Sequence, residues 1–257
     1  MQQANTRKRI GHLDEVNSNT DEQIRLLTLS EDHPCSYLPH QKANSVFLDH
    51  ETPPSWHQYS QLTRMGFRRS GDHYYRPHCK ACDACMSCRI SSYEINLNTK
   101  RFKRILNRAN KLTYTLVNSK YSVEHYQLYE KYINARHHDG DMYPPSTEQY
   151  KGFLVYPAKF SYFLEIRDEG KLIACCVTDA LDDGLSAIYT YFDVDYEKFS
   201  LGTLAILLLC KISREMTLPY VYLGYWVKNS QKMSYKAQFK PLEVFNGEIW
   251  HSLPEQV

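Results

Sequence analysis

Residues 160–226 carry the rhythm that most limits how this chain can fold. "FSYFLEIRDEGKLIACCVTDAL" holds two apolar runs of strand length, joined by a tight turn at Asp168–Lys171. "LSAIYTYFD" supplies a third strand. "SLGTLAILLLCKISREM" then stays apolar for about four turns, too long for a strand, with Lys211 and Arg214 near the negative end of the predicted helix. "YVYLGYW" returns to strand character. Strands, a buried helix and another strand predict an α/β unit around a mixed sheet.

Upstream the pattern is looser. Residues 1–23 are polar, mixed in charge and without period, and read as a mobile tail. From Ile24, "IRLLTLSEDHPCSYLP" reads as a short strand entering a proline-bounded loop. "SWHQYSQLTRMGF" predicts a helix with Trp56, Tyr59, Leu62 and Met65 on one face and Gly66 at its end. "FRRSGDHYYRP" and the cysteine run are rich in turn residues, and "RISSYEINL" alternates as a strand. Asn98 or Thr99 can cap a helix from Lys100 to Lys111. "LTYTLV" predicts a strand, "SVEHYQLYEKYINARHH" a helix capped by Ser122, and "TEQYKGFLV" a short helix. "NSQKMSYKAQF" predicts a last short helix. These elements divide the chain into the tail, a Cys-containing subdomain at 24–111 and a second domain at 112–257.

Four cysteines stand at a step of three, Cys79, Cys82, Cys85 and Cys88. Close thiolates of this kind hold iron–sulfur clusters or zinc. The ferredoxin run has three residues before its last cysteine, and zinc sites separate two Cys pairs by a longer loop, so neither pattern is matched in full. Cys79, Cys82 and Cys85 with Cys35 form the candidate ligand set; the alternative is reduced thiols packed in a turn. No secretory signal and no membrane-length apolar run are visible, so the chain reads as cytosolic, where clustered cysteines mean metal or thiol chemistry.

Net charge is only +2, so any polyanion must be met by a local patch. Lys100, Arg101, Lys103, Arg104 and Arg108 form one, with no acid among them. A solvated helix face has the same form. Gly202 and Thr203 begin the apolar helix, where free N–H groups can meet negative charge. Residues 221–241 interleave Gly224, Tyr225, Trp226, Lys228, Lys232, Tyr235 and Lys236 just past a buried strand, a usual place for a ligand crevice. "ARHHDGDMYPPS" reads as a polar loop rather than a metal site.

"HPCSYLP", "GFRRSGDHYYRPHCKACDAC", "AIYTYFD" and "VYLGYWVKNSQKMSYKAQFKPLEVFNGEIW" resemble the aminoacyl-tRNA–protein transferase family, from about His33 to Trp250. The length and the "YRPHCKACDAC" form resemble its bacterial branch. The resemblance implies a GNAT-like acyltransferase fold for the second half. It implies transfer of leucine from leucyl-tRNA to proteins with N-terminal Asp or Glu, marking them for N-degron degradation. The eukaryotic branch transfers arginine instead. No cofactor is required; iron–sulfur binding goes with the branch that transfers arginine and would fall here on Cys35, Cys79, Cys82 and Cys85, where the spacing also admits zinc, and Cys88 lies outside the family run. Two rival readings are a non-enzymatic metal and RNA-binding protein and an acetyl-CoA-dependent enzyme.

Such a reaction assigns roles. The acidic side chain of the acceptor needs a cation, with Arg76 and Arg89 first, then Lys232 and Lys236. The tRNA needs the basic run. The ester end needs donors and a stacking face, drawn from Tyr189, Tyr191, Gly224, Tyr225 and Trp226. Tyr225, Tyr235 and Lys232 are the catalytic candidates, and Tyr235 or the Asp139–Asp141 loop can move the proton.

Overall fold

The computed structural model describes residues 25–28, 32–49, 53–138 and 140–253. The tail expected at 1–23 lies outside them. In chain order the elements are β1 (Arg25–Thr28), β2 (His33–Pro34), β3 (Lys42–Ala43), β4 (Ser45–Asp49), α1 (Trp56–Arg64), β5 (Arg68–Ser70), β6 (His73–Pro77) and β7 (Met86–Ser91). There follow α2 (Lys100–Arg108), β8 (Thr113–Asn118), α3 (Val123–Arg136), α4 (Thr147–Leu154), β9 (Ser161–Asp168), β10 (Lys171–Ala180) and β11 (Gly184–Phe192). The chain closes with α5 (Leu201–Glu215), β12 (Tyr220–Trp226), β13 (Leu242–Phe245) and β14 (Trp250–Ser252).

An eight-stranded sheet runs in the order β14-β13-β7-β12-β11-β10-β9-β8. Its pairs are antiparallel except β11–β12, which are parallel and joined through α5. A parallel pair needs such a crossover, which explains why the apolar helix sits where it does. This is the mixed α/β sheet expected, and the strand–helix–strand order agrees with the acyltransferase-type fold that the resemblance implied.

Strand β10 explains the layering. It is buried from Leu172 to Ala180, and consecutive side chains serve opposite faces. Ala174 and Cys176 join the core under α5 and α2. Cys175 and Val177 join the core under α3 and α4. Helix α5 is apolar around most of its circumference because it lies in the larger core, with Leu204, Leu207 and Leu209 all but sealed from solvent.

A second sheet, β1-β4-β6-β5, is antiparallel throughout. Its β5–β6 hairpin forms in the stretch read as turn-rich. Gly71 takes φ +60 there, and a Cβ would stand 2.4 Å from the Gly152 carbonyl oxygen of α4. Helix α1 is held by a capping box between Ser55 and Gln58 and ends at Gly66, φ +86. Tyr59 and Leu62 are buried as expected, whereas Met65 is half exposed beyond the last turn.

Other elements also differ from expectation. Strand β7 begins at Met86, inside the cysteine run, and ends at Ser91. It lies between β13 and β12, so the large sheet includes a strand from before residue 112. Residues Ser234–Gln238 form a 3₁₀ turn rather than an α-helix. Strands β13 and β14 complete an edge that the sequence pattern left unmarked.

Candidate functional site

The small sheet meets the large one through a buried ion pair. Arg69 of β5 grips Asp179 of β10 with both ends of its guanidinium, at 2.7 and 2.8 Å, and both side chains are fully buried. Tyr59 of α1 donates to the same carboxylate at 2.9 Å. Bidentate geometry offsets the desolvation of both charges. This clamp fixes β5 against the large sheet, and two clefts open beside it.

The first cleft, of about 680 Å³, lies between the small sheet and the cysteine loop. Arg76 lines it from β6. Its guanidinium donates to the Met65 carbonyl at 3.2 Å and sits 5.2 Å from the centre of the Phe67 ring. It has no ion pair among the described residues. Cys35, Cys79, Cys82 and Cys85 line the same cleft. Burial, reinforced by those three neighbours, pushes the Cys85 thiol up to about 12. Backbone N–H groups of Tyr37 and Asn44 donate to Cys35 and Cys79 sulfur, each at 3.5 Å. The donor set is soft and suits zinc or an iron–sulfur cluster. Among the described residues, however, no three His, Cys, Asp or Glu side chains stand in a ready-made ligand group. The thiols share a cleft without a closed cage. Cys88 is apart from them, buried in β7, its thiol raised to about 11 by burial.

The second cleft, of about 870 Å³, opens where β11 and β12 part. Their parallel pairing ends at Ser186 and Tyr222, and β12 bulges before Gly224. The first turn of α5 faces the gap with Leu201, Gly202 and Thr203. Ser200 precedes it at φ +51 and gives no side-chain cap, so those N–H groups carry the helix's positive end. Gly224 has φ +78, and a Cβ would come within 3.1 Å of the Arg68 Nε. Glycine lets the buried Arg68 guanidinium lie against the strand, where it donates to Ser186 Oγ at 2.9 Å and the Ala187 carbonyl at 2.6 Å. Lys236 reaches in from the 3₁₀ turn. Its Nζ donates to the Tyr225 carbonyl at 2.6 Å, and burial lowers its pKa to about 8.

The two clefts are neighbours. Tyr37, Tyr75 and Tyr225 line both. A chain entering one can therefore face a group held in the other across three tyrosine rings.

Of the residues expected at the ester end, Tyr189, Gly224 and Tyr225 line the second cleft, together with Lys232, Tyr235 and Lys236. Tyr191 does not; it is sealed in the core with its hydroxyl on that of Tyr150 at 2.8 Å. Trp226 faces the large core, 3% exposed, and offers no stacking face. Arg89 is also spent on structure. Its Nε meets Glu243 at 2.6 Å, and its guanidinium stacks between Tyr220 and Trp250 at 3.5 and 4.3 Å. The Tyr225 hydroxyl bonds the Gly66 and Tyr75 carbonyls at 3.0 and 3.1 Å, and burial lifts its pKa far up, so it takes no proton near neutral pH. Desolvation lifts Tyr235 to about 12, with the same consequence. Asp139 lies outside the described residues, and Asp141 lines neither cleft.

Helix α2 divides cleanly. Thr99 caps it, Phe102 and Ile105 enter the core, and Phe102 stacks on Phe239 at 5.6 Å. Lys100, Arg101, Lys103, Arg104 and Arg108 face out around a shallow basin of about 750 Å³. None has an ion pair among the described residues.

The sequence comparisons agree with this architecture. A family profile described as "Arginine-tRNA-protein transferase, N terminus" matches residues 33–104, and its "C terminus" counterpart matches 124–246. The chain belongs to this family. A protein of Hahella chejuensis is 45% identical over 219 residues, 85% of this chain and 93% of its own, and is named aspartate/glutamate leucyltransferase. One of Pseudomonas putida with the same name is 47% identical over 221 residues, 86% of this chain and 94% of its own. In shape, the L-PGS structure from Bacillus licheniformis aligns with TM-score 0.43 at 12% identity, covering 66% of this chain and 50% of that one; at these values the likeness carries no argument. The chain is thus an aminoacyl-tRNA–protein transferase, and the non-enzymatic reading of the cysteine run falls away. No helix among the described residues is long and apolar enough to cross a membrane.

Sequence reasoning on the transferase missed Arg68. Both arginines of "FRRS" stand in a short hairpin, and nothing in the string tells which meets an acid. Asp179, 110 residues on, claims Arg69 and leaves Arg68 to the cleft.

Proposed function

We propose that this transferase moves leucine from leucyl-tRNA to the α-amine of proteins that begin with Asp or Glu, marking them for degradation. The observation that carries the reading is the pair of clefts sharing the wall Tyr37, Tyr75 and Tyr225. The names of the relatives support leucine as the donor residue and Asp or Glu as the acceptor.

The acceptor's first side chain enters the cysteine cleft and meets Arg76, whose guanidinium has spare donors for a carboxylate. The peptide's α-amine then points toward the shared wall. The aminoacyl ester lies in the second cleft, with the terminal adenine against Tyr189 or Tyr235. Helix α2 follows the tRNA backbone through its exposed cations. The ester is already activated, so the enzyme's contribution is to hold amine and carbonyl together and to stabilise the oxyanion. The first turn of α5 and the Arg68 guanidinium supply positive potential for it. If a metal binds, Cys35, Cys79, Cys82 and Cys85 would hold it as soft ligands, stiffening the loop beside Arg76. We place this enzyme in the cytoplasm, where charged tRNA is available.

The test is a transfer assay with labelled leucyl-tRNA or arginyl-tRNA and peptides beginning with Asp, Glu, Lys or Ala. Label passing from leucyl-tRNA to the Asp and Glu peptides alone is expected. Label from arginyl-tRNA would move the donor assignment, and label in the Lys or Ala peptides would remove Arg76 from its role.

A further inference from the structure

Two cations of the second cleft are buried, Arg68 and Lys236, and the acid on its lining, Glu197, is paired with Arg136 at 2.6 Å. Arg68 is 7% exposed and Lys236 is 6% exposed. Neither has an ion pair among the described residues; their hydrogen-bond partners are Ser186 Oγ, the Ala187 and Tyr225 carbonyls and Met233 Sδ. Two adjacent buried charges of one sign, without a counter-charge, are costly. A guanidinium does not give up its proton in proteins, so the strain falls on the amine. The titratable groups around Lys236 are Cys88 from β7 and Arg68 from β5, with Lys232 and Tyr235 of its own segment and Arg136, His137 and Glu197 on the same cleft lining. Cys88 is itself held protonated by burial, and the Tyr235 phenol is raised to about 12, so neither supplies a negative partner at neutral pH.

We propose that Lys236 is the proton relay of the transfer reaction, buried beside the guanidinium of Arg68 with no carboxylate paired to either among the described residues. This rests on the reading of the second cleft as the ester site. The acceptor's neutral α-amine attacks the ester carbonyl, and a C–N bond forms. The nitrogen becomes positive, and the Lys236 lone pair takes its proton. The bond between the carbonyl carbon and the ribose oxygen then breaks. Its electron pair goes to that oxygen, which takes the proton back from Lys236. Amide and free tRNA hydroxyl result, and the lysine is unchanged. While it waits, its remaining N–H groups keep the carbonyl of Tyr225, a residue of the cleft wall, at 2.6 Å. The burial that lowers the amine to about 8 suits a group that must both take and return a proton near neutrality.

The test uses the whole enzyme with Lys236→Arg, Lys236→Met and Arg68→Gln. Lys236→Arg keeps charge and length but cannot act as a base. Both Lys236 variants are expected to lower kcat by about 100-fold or more, with leucyl-tRNA affinity and thermal melting close to wild type. Arg68→Gln is expected to raise the pH of the rising limb of kcat at saturating peptide, because Lys236 then holds its proton more strongly. The amine of Lys236 is titrated separately, by acetic anhydride labelling read by mass spectrometry, which needs no transfer activity. A near-neutral titration that moves up in Arg68→Gln is expected. Full activity in Lys236→Arg, or a Lys236 titration at the ordinary lysine value, would overturn the proposal. Should Arg68→Gln fail to fold, the Lys236 variants and the wild-type titration still decide it. A wild-type enzyme that transfers no leucine at all would instead refute the functional reading, whatever Lys236 titrates at.

Discussion

Neighbouring arginines of β5 do opposite work. Arg69 is clamped on Asp179, and Arg68 is turned toward the second cleft. Asp179→Ala would leave the guanidinium buried without its partner, and a loss of about 3–5 kcal/mol in unfolding free energy is expected. Urea denaturation measures it; a loss below about 1 kcal/mol, the range of exposed pairs, would mean that water reaches the site. Among the described residues Arg76 has one hydrogen-bond partner, the Met65 carbonyl, so Arg76→Ala is expected to keep the fold and leucyl-tRNA binding while acceptance of Asp and Glu peptides falls by about 100-fold or more, as when a charge-assisted pair is removed. Peptide KM, measured at saturating leucyl-tRNA, checks this. Gly224→Ala tests the close approach of strand to guanidinium. At φ +78 the new Cβ is strained and meets Arg68 at 3.1 Å, so transfer should drop through displacement of that side chain. Activity equal to wild type would show that Arg68 can move aside freely.

Helix α2 is one face core and one face cation. Its inner side is anchored by Phe102 and Ile105, so its outer side can lose charge without loss of fold. Replacing Arg101 and Arg104 together by glutamine is expected to weaken tRNA binding at low salt. The slope of log affinity against log salt should flatten by about one for each phosphate no longer neutralised. A slope that does not change would mark the helix as a solvated face. At the other end of the site, α5 and β12 act as a pair. The helix crosses over the sheet so that β12 lies parallel to β11, and the cleft exists because these two strands part after Ser186 and Tyr222. No side chain makes this gap; the crossover does.

The whole molecule depends on charge pairs that join its layers. Asp193, at the end of β11, meets Lys131 of α3 at 2.5 Å and Lys171 of β10 at 2.9 Å. Burial works to raise its pKa, but these two lysines and the Asp195 N–H outweigh it and hold the carboxyl down at about 2. Unfolded, an aspartate titrates near about 3.9. The stabilisation is therefore complete above the unfolded value and is lost as pH falls from about 4 through 2. Acid unfolding followed by circular dichroism should be steeper in wild type than in Asp193→Asn over that window; equal steepness would assign the acid transition to other groups. Metal content belongs to the same scale. Zinc or iron at about one site per chain in protein prepared without oxygen, with looser peptide KM on chelation and intact tRNA binding, is expected if the four thiols hold an ion. Metal-free protein with full activity would leave the thiols as packing.

Local rhythm in the sequence already determined the strands around residues 160–192, the apolar helix and the last buried strand, because each follows from periodicity over its own few residues. The Ser122 cap and the choice of Asn98 or Thr99 were legible for the same reason, since a cap acts within one helical turn, and the structure picks Thr99. The long motifs were enough to place the chain in its family. What only the tertiary structure decided are the matters that depend on distant partners. The chain between Arg68 and Pro77 became a hairpin because β4 offered it an edge. Arg89, Tyr191 and Trp226 had the right chemistry for a site, but Glu243, Tyr150 and the α5 core took them first. Arg68 and Lys236, 168 positions apart on the chain, became neighbours because a parallel crossover left a gap between two strands. A side chain's type is written in the sequence; whether that side chain meets an acid, a ring or an open cleft is fixed by packing across the sheet.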